Sequence, residues 1–295
     1  MDGPVPLPDI VICLEAPWDV EKSVVLNMSI NLLSYMTNLA FPFGGFGISI
    51  YDYDSGYWNN TLKQELNKEY KDILLKTGWN VVELLNKVTF SCEQVIEFCN
   101  FGNGVFGYIS GSACCKYVFV DQVYGLYGKC FRTSSKFYKF FIKEAGLQSG
   151  LNIKLTVRTD ILSILNTGIT NYPASMSNGV SIGASNKQSH LSTITPKIRG
   201  LTPNCMNSAI VSKMTVDRSK QNSPFGRHHC IYENDYQAYQ SFTPGYAAYT
   251  KDNCILAKKQ KFITEKYNCS LIYFNVVTET EYCGPSESVV VFSER

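Results

Sequence analysis

Apolar and polar positions recur along this chain with two periods, and each predicts a different element. Leu151, Ile153, Leu155 and Val157 alternate with Asn152, Lys154 and Thr156, the period of a half-buried antiparallel strand. Ile272, Phe274 and Val276 repeat that alternation. A helical period starts at Thr61, where a Thr-x-x-Gln cap leads into Leu62, Leu66, Tyr70, Ile73 and Leu74, and Gly78 stands where the helix should end. Another helix is expected from about Asn80. A further helical turn is expected from Ser91-x-x-Gln94, with Cys92, Val95, Ile96 and Cys99 at i, i+3, i+4 and i+7. Asp9-Ile-Val-Ile-Cys13 reads as a short apolar strand bounded by Pro6, Pro8 and Pro17. Strands and helices mixed in this way predict an α+β fold.

Beyond residue 160 the pattern weakens. From Thr167 to Thr195 the chain is rich in Ser, Asn, Gly and Thr, which predicts short strands separated by turns. After Cys205 it becomes Tyr-rich and then basic, so a boundary is placed there, dividing 1–204 from 205–295. Lys258, Lys259 and Lys261 read as a solvated helix face, and Glu265 and Asp235 as surface charges.

Composition narrows the setting. With 27 basic and 25 acidic residues the net charge is +2, which gives no footprint for nucleic acid. The 11 cysteines, from Cys13 to Cys283, are too many for a reducing compartment and predict an extracellular or luminal, disulfide-rich protein. Sequons at Asn27, Asn59 and Asn268 agree with passage through the secretory pathway as N-glycosylation acceptors.

Chemistry-bearing motifs are weak. No pair of closely spaced cysteines recurs near a second Cys or His pair, and the adjacent ligands of His228-His229-Cys230 do not easily converge on one tetrahedral ion, so no metal or cofactor is expected. Gly102-x-Gly104-x-x-Gly107 matches a dinucleotide fingerprint only superficially. No strand is read before it and no helix after it, so it is taken as a glycine-rich loop. His190, His228 and His229 have no reactive thiolate assigned to them, and no Gly-x-Ser-x-Gly elbow is present, so the chain is not read as an enzyme.

The segment Ser23 to Tyr51 is uncharged throughout, yet Asn27, Asn31, Asn38, Pro42 and Gly44-Gly45 interrupt it. A spanning helix wants about 20 predominantly apolar residues, so this segment is read as amphipathic and extramembranous. The N-terminus shows neither a basic nor an apolar leader region, so the chain is expected to be a piece of a larger membrane protein.

Tyr127-Gly-Lys-Cys130 followed by Phe131 resembles the Tyr-Gly-x-Cys-Tyr motif of the degenerin/epithelial sodium channel family, and Leu7-Pro-Asp-Ile-Val-Ile-Cys13 with Pro17 resembles that family's first ectodomain strand. Cys99-Asn-Phe101-Gly102 is similar to a Cys-x-Phe-x-Gly element of its finger. Gly150-Leu151 is similar to a palm strand, and Gly179-Val-Ser-Ile182 through Pro203-Asn-Cys205 to the approach to the first thumb cysteine. Tyr249-Thr-Lys-Asp-Asn-Cys254 is similar to the start of the thumb, with Cys269 and Tyr282-Cys283 near its later cysteines. Lys258 and Tyr267 stand where the family has cysteines, and Arg132-Thr133 replace Phe-Asn.

The resemblance spans residues 7 to 283 and implies a disulfide-rich ectodomain with a central antiparallel palm sheet and peripheral helical finger and thumb elements. It implies pairing of Cys13 with Cys130 and of Cys99 with Cys115, with Cys114 as an alternative partner. Thumb pairing would draw on Cys205, Cys254, Cys269 and Cys283, with further partners beyond Arg295 accounting for the odd cysteine total. It also implies homo- or hetero-trimeric assembly of channel subunits and, in the full-length relative, passage of sodium ions. No residue is assigned to an extracellular ligand. Residues 1 to 295 alone are expected to conduct no sodium current, because both transmembrane helices lie outside them. The alternative is a secreted or degenerate non-conducting binding domain of the same fold.

Overall fold

The computed structural model describes residues 5–6, 8–14, 17–40, 60–101, 108–125, 128–133, 141–142, 150–156, 180–185, 199–200, 251–274 and 280–288. Its centre is a five-stranded antiparallel sheet. It is built from β2 (Asp9–Leu14), β5 (Asp121–Gly125), β6 (Gly128–Arg132), β9 (Val180–Ser185) and β10 (Arg199–Gly200), in the order β10-β9-β2-β6-β5. A three-stranded antiparallel sheet orders β4 (Tyr108–Ser110), β3 (Ile96–Phe101) and β8 (Leu151–Leu155) as β4-β3-β8, while β1 (Val5–Pro6) pairs with β7 (Phe141–Ile142). The mixture of helices, antiparallel sheets and disulfides is an α+β arrangement.

Alternation along β2 decides which side chains enter the core. Ile12 and Leu14 join the main apolar cluster, whereas Val11 and Cys13 face the other side with Cys130 and Val123. With both faces covered, β2 loses the exposed polar row of a one-sided strand and reads as a continuous apolar run. β8 keeps the one-sided pattern, with Leu151, Ile153 and Leu155 half-buried and the residues between them exposed.

Helices α1 (Val20–Val25), α2 (Ile30–Ala40), α3 (Asn60–Thr77) and α4 (Val81–Val88) contribute to the core cluster. Leu32, Leu33, Tyr35, Met36 and Leu39 of α2 are all buried, and Thr37 accepts a hydrogen bond from the Trp18 indole at 3.2 Å. The charge-free run therefore supplies a core helix of 11 residues, about 16 Å long and about half the thickness of a bilayer's apolar layer. Among the described residues no helix is long and apolar enough to cross a membrane.

Local signals hold where they act within one turn. Asn80 caps α4, accepting from the Glu83 amide at 2.9 Å while Glu83 accepts from the Asn80 amide at 2.9 Å. Gly78, at φ +69°, ends α3 in the left-handed conformation that glycine adopts without strain. The expected cap at Thr61 is displaced, because α3 already begins at Asn60.

Three expectations change. The turn capped at Ser91 gives only α5 (Cys92–Val95), after which Ile96–Phe101 runs as β3. Cys92, Val95, Ile96 and Cys99 are buried as their spacing implies, but pairing with β4 and β8 overrides the helical period. A strand thus precedes the glycine-rich stretch and β4 follows it, so it joins two paired strands; residues 102–107 lie outside the described residues. Ile272–Phe274 is a 3-10 turn with all three side chains buried, because the hydrogen bond from the Phe274 amide to the Leu271 carbonyl folds the segment back. The boundary near residue 205 falls outside the described residues.

Helix α6 (Gly111–Tyr117) begins hard against β3. A Cβ on Gly111 would lie 1.9 Å from the Ile96 carbonyl oxygen, so only glycine fits there. Gly111→Ala is expected to lower stability by about 1–3 kcal/mol through forced backbone shifts. Gly150→Ala, where a Cβ meets nothing within 4 Å, should stay within about 0.5 kcal/mol. Denaturant unfolding of the two variants side by side checks both.

Candidate functional site

Strands β2 and β6 place Cys13 directly opposite Cys130, and the two form a disulfide with Cα atoms 4.0 Å apart and zero exposure. It closes an interval of 117 residues, so elements made from the whole first half of the chain are tied to one ladder. At one end of that ladder Arg132 bonds the carboxylate of Asp9, and Thr133 accepts from the Ile10 amide at 3.0 Å.

A second centre lies on the opposite, core side of β6. Lys129 is 1% exposed because strand alternation turns it away from Cys130, and its ammonium reaches Thr89 Oγ1 at 2.9 Å. Thr89 caps the end of α4 and donates from that hydroxyl to the Leu85 carbonyl at 2.6 Å. The Thr89 backbone bridges to Trp18, and its carbonyl accepts from Lys22 Nζ at 2.9 Å. Lys22 also donates to Gln94 Oε1 at 2.8 Å and pairs with Asp19 at 3.3 Å, while Gln94 donates to Asp19 at 2.9 Å. One residue, Thr89, therefore joins the sheet through Lys129 to α1 through Lys22, with α5 attached through Gln94.

The electrostatics of this node oppose one another. Burial, then the Lys22 charge, pushes the Lys129 ammonium down to about 7. Burial raises the Asp19 carboxyl, but hydrogen bonds from Gln94 and Lys22 and the Lys22 charge outweigh it and hold the group below its ordinary value. Burial likewise raises the Tyr124 phenol, which donates to Asn86 at 2.8 Å beside the same helix end.

The adjacent cysteines of α6 correct one expected pairing. Cys99 bonds Cys114, not Cys115, and Cys115 bonds Cys92, with Cα separations of 6.0 and 5.8 Å. Successive helical residues diverge by about 100°, so Cys114 faces inward onto β3 while Cys115 turns toward the start of α5. An open groove of about 600 Å³ runs past the Cys92–Cys115 bond, lined also by Glu93, Lys116, Tyr117 and Gln122. Of the later cysteines, Cys269 bonds Cys283 with Cα atoms 4.9 Å apart, and Cys254, half-buried on α7 (Lys251–Tyr267), is a free thiol.

Cys205, the His228-His229-Cys230 cluster, His190 and Asn59 lie outside the described residues. Asn27 and Asn268 are exposed and share φ 54° just past a helix end, a conformation asparagine tolerates. Lys258, Lys259 and Lys261 are exposed on α7, and Glu265 pairs with Lys261 at 3.7 Å on the same surface. Among the described residues no three His, Cys, Asp or Glu side chains are placed to hold a metal ion.

Sequence reasoning passed over Cys92 as a disulfide partner and Lys129 and Thr89 as a buried pair. A signal for Lys129 was present: it neighbours Cys130 on a strand, so a sheet covered on both faces buries both.

The two strands that carry Cys13 and Cys130 lie within a longer match. The family model of the amiloride-sensitive sodium channel matches residues 3–292. The chain belongs to that family. No curated protein matches it. The amiloride-sensitive sodium channels are membrane ion channels built from subunits, and membership relates this chain to them at the level of the family.

The Lys129 node makes stability depend on pH with a definite sign. Below about pH 7 Lys129 is charged in both folded and unfolded chains, and the full penalty of a buried ammonium applies. Between about 7 and the unperturbed 10.5 the unfolded chain holds the extra proton, so stability rises with pH across that window. Lys129→Met should flatten this rise and be more stable than the parent at and below pH 7, as read from denaturant midpoints of both proteins from pH 6 to 10.

Proposed function

We propose that residues 1–295 form the extracellular portion of a subunit of an amiloride-sensitive sodium channel. The observation that carries this reading is the registered Cys13–Cys130 crosslink, since it joins the two strands whose motifs are those of the family's first ectodomain strand and of its Tyr-Gly-x-Cys segment. In this reading the five-stranded sheet is the palm. The β3-β4-α6 unit with its two disulfides belongs to the finger, and α7 with the Cys269–Cys283 loop belongs to a partial thumb occupying 205–295.

Three such subunits, identical or mixed, surround one sodium pathway, and Asn27, Asn59 and Asn268 carry glycans on the outer side. A stimulus on the helical elements reaches the sheet through Thr89, because Lys22 pulls on its carbonyl from α1 and Lys129 holds its hydroxyl from β6. Coupling of this kind needs a packed element with two discrete arrangements. The Thr89 node is the best candidate, since movement of α4 by the length of one hydrogen bond would separate the buried Lys129 from the Thr89 hydroxyl.

The test uses the longest natural protein that contains these residues, with an epitope inserted after Gly78, in the exposed connection between α3 and α4. On unpermeabilised cells the epitope should be stained, and an amiloride-blockable sodium current should accompany it. Staining only after permeabilisation would overturn the extracellular assignment, and surface staining without current would favour a non-conducting binding domain.

A further inference from the structure

The Cys269–Cys283 loop contains a conflict between two modifications. Asn268-Cys269-Ser270 is a sequon whose middle residue is a disulfide partner and whose serine is withdrawn from solvent. Ser270 is 1% exposed; its hydroxyl contacts Gln260 Nε2 at 2.6 Å and Thr280 Oγ1 at 2.8 Å. Its amide donates to the Glu281 carbonyl at 2.9 Å, and its own carbonyl accepts from the Cys283 amide at 2.8 Å. Asn268 itself is exposed, in the left-handed conformation, with its amide closing the last turn of α7 on the Thr264 carbonyl. A glycosyl transferase must hold the acceptor Asn and the hydroxyl two residues later together on an extended segment. The folded loop offers the first and hides the second.

We infer that Asn268 is an N-glycosylation site in competition with closure of the Cys269–Cys283 disulfide, so that its occupancy records which event came first. This rests on the extracellular reading. In the transfer, the Asn268 amide nitrogen bonds to the anomeric carbon of a polyprenyl-pyrophosphate-linked oligosaccharide. The bond from that carbon to the pyrophosphate oxygen breaks, and one amide proton is lost as the lipid pyrophosphate leaves with the electron pair. In closure, two thiols lose two electrons and two protons to a disulfide donor of the oxidising compartment, which is reduced in exchange. Cys283 follows Cys269 by 14 residues, an interval of roughly 1–3 s at about 5–20 residues per second of synthesis. Disulfide formation takes seconds or longer, so the two events overlap in time.

Asn27 is the internal comparison. It too is exposed, at φ 54°, but its sequon serine, Ser29, is only half-buried. Ser29 is held by Glu69 at 3.2 Å and by the Leu32 amide it caps at 3.0 Å, contacts that fraying of one helical turn releases. No cysteine lies within its sequon, so its occupancy should not follow the state of Cys283.

The chain is expressed behind a cleavable secretion signal in glycosylating cells, and occupancy at each Asn is read on total cell protein by glycosidase release in heavy-oxygen water and mass spectrometry. Asn268 should be partly occupied in the parent and shift to near-complete occupancy in Cys283→Ser, with Asn27 unchanged. Because Cys283→Ser may misfold, the parent is also synthesised during a pulse of membrane-permeant thiol reductant, which should raise Asn268 alone. Equal Asn268 occupancy under all three conditions, whether full or absent, would overturn the inference while an occupied Asn27 leaves the extracellular reading standing. Glycan at none of the sequons would overturn both.

Discussion

A single covalent cross-link sets the frame on which the rest of this structure hangs. In the chain-entropy account, closing an interval of 117 residues is worth about 4–5 kcal/mol, a large share of the roughly 5–15 kcal/mol that holds a domain folded. The cross-link can do this because β2 and β6 are neighbours in an antiparallel ladder with Cys13 and Cys130 in direct register. That register also sends Leu14 and Lys129, the next pair along, to the opposite face. The disulfide and the buried lysine are therefore two consequences of one strand alignment.

Among the described residues the helices meet this frame through contacts of two kinds. Apolar packing of Trp18, Leu84, Leu85 and Val88 with the sheet residues Ile12 and Phe131 is non-directional and tolerates small displacements. The Thr89 node is directional. Lys129 donates to the Thr89 hydroxyl in surroundings where a charged ammonium is penalised, so its contact persists only while α4 keeps its position. At such a junction a small helix movement has a large electrostatic consequence, which a uniformly apolar interface would not show.

The two disulfides of α6 illustrate a second constraint. Gly111 lets the helix start in contact with the Ile96 carbonyl, and at that distance Cys114 and Cys115 cannot reach the same neighbour. The helix is thereby fixed in rotation as well as in position, which leaves Lys116 and Tyr117 projecting beside the groove at the Cys92–Cys115 bond.

The sequence by itself determined the elements whose signals are local: the helix start near Asn80, the Gly78 stop, the alternation of Leu151, Ile153 and Leu155, and the short apolar strand ending at Cys13. These depend on contacts within a turn or on a period of two, so no distant residue needs to be known. Tertiary structure alone decided that Ile96–Phe101 is a strand, that Ile272–Phe274 is a 3-10 turn, that Cys99 bonds Cys114, and that Lys129 is buried under Thr89. In each of those cases two local readings were close in energy, and the choice fell to partners far along the chain: β4 and β8 for β3, the rotation of α6 for the cysteines, and the helical cover of the sheet for Lys129. Hydrogen bonding and burial at such distances outweigh propensities of a few tenths of a kcal/mol per residue, which is why the pattern predicted which residues are buried there but not the element that buries them.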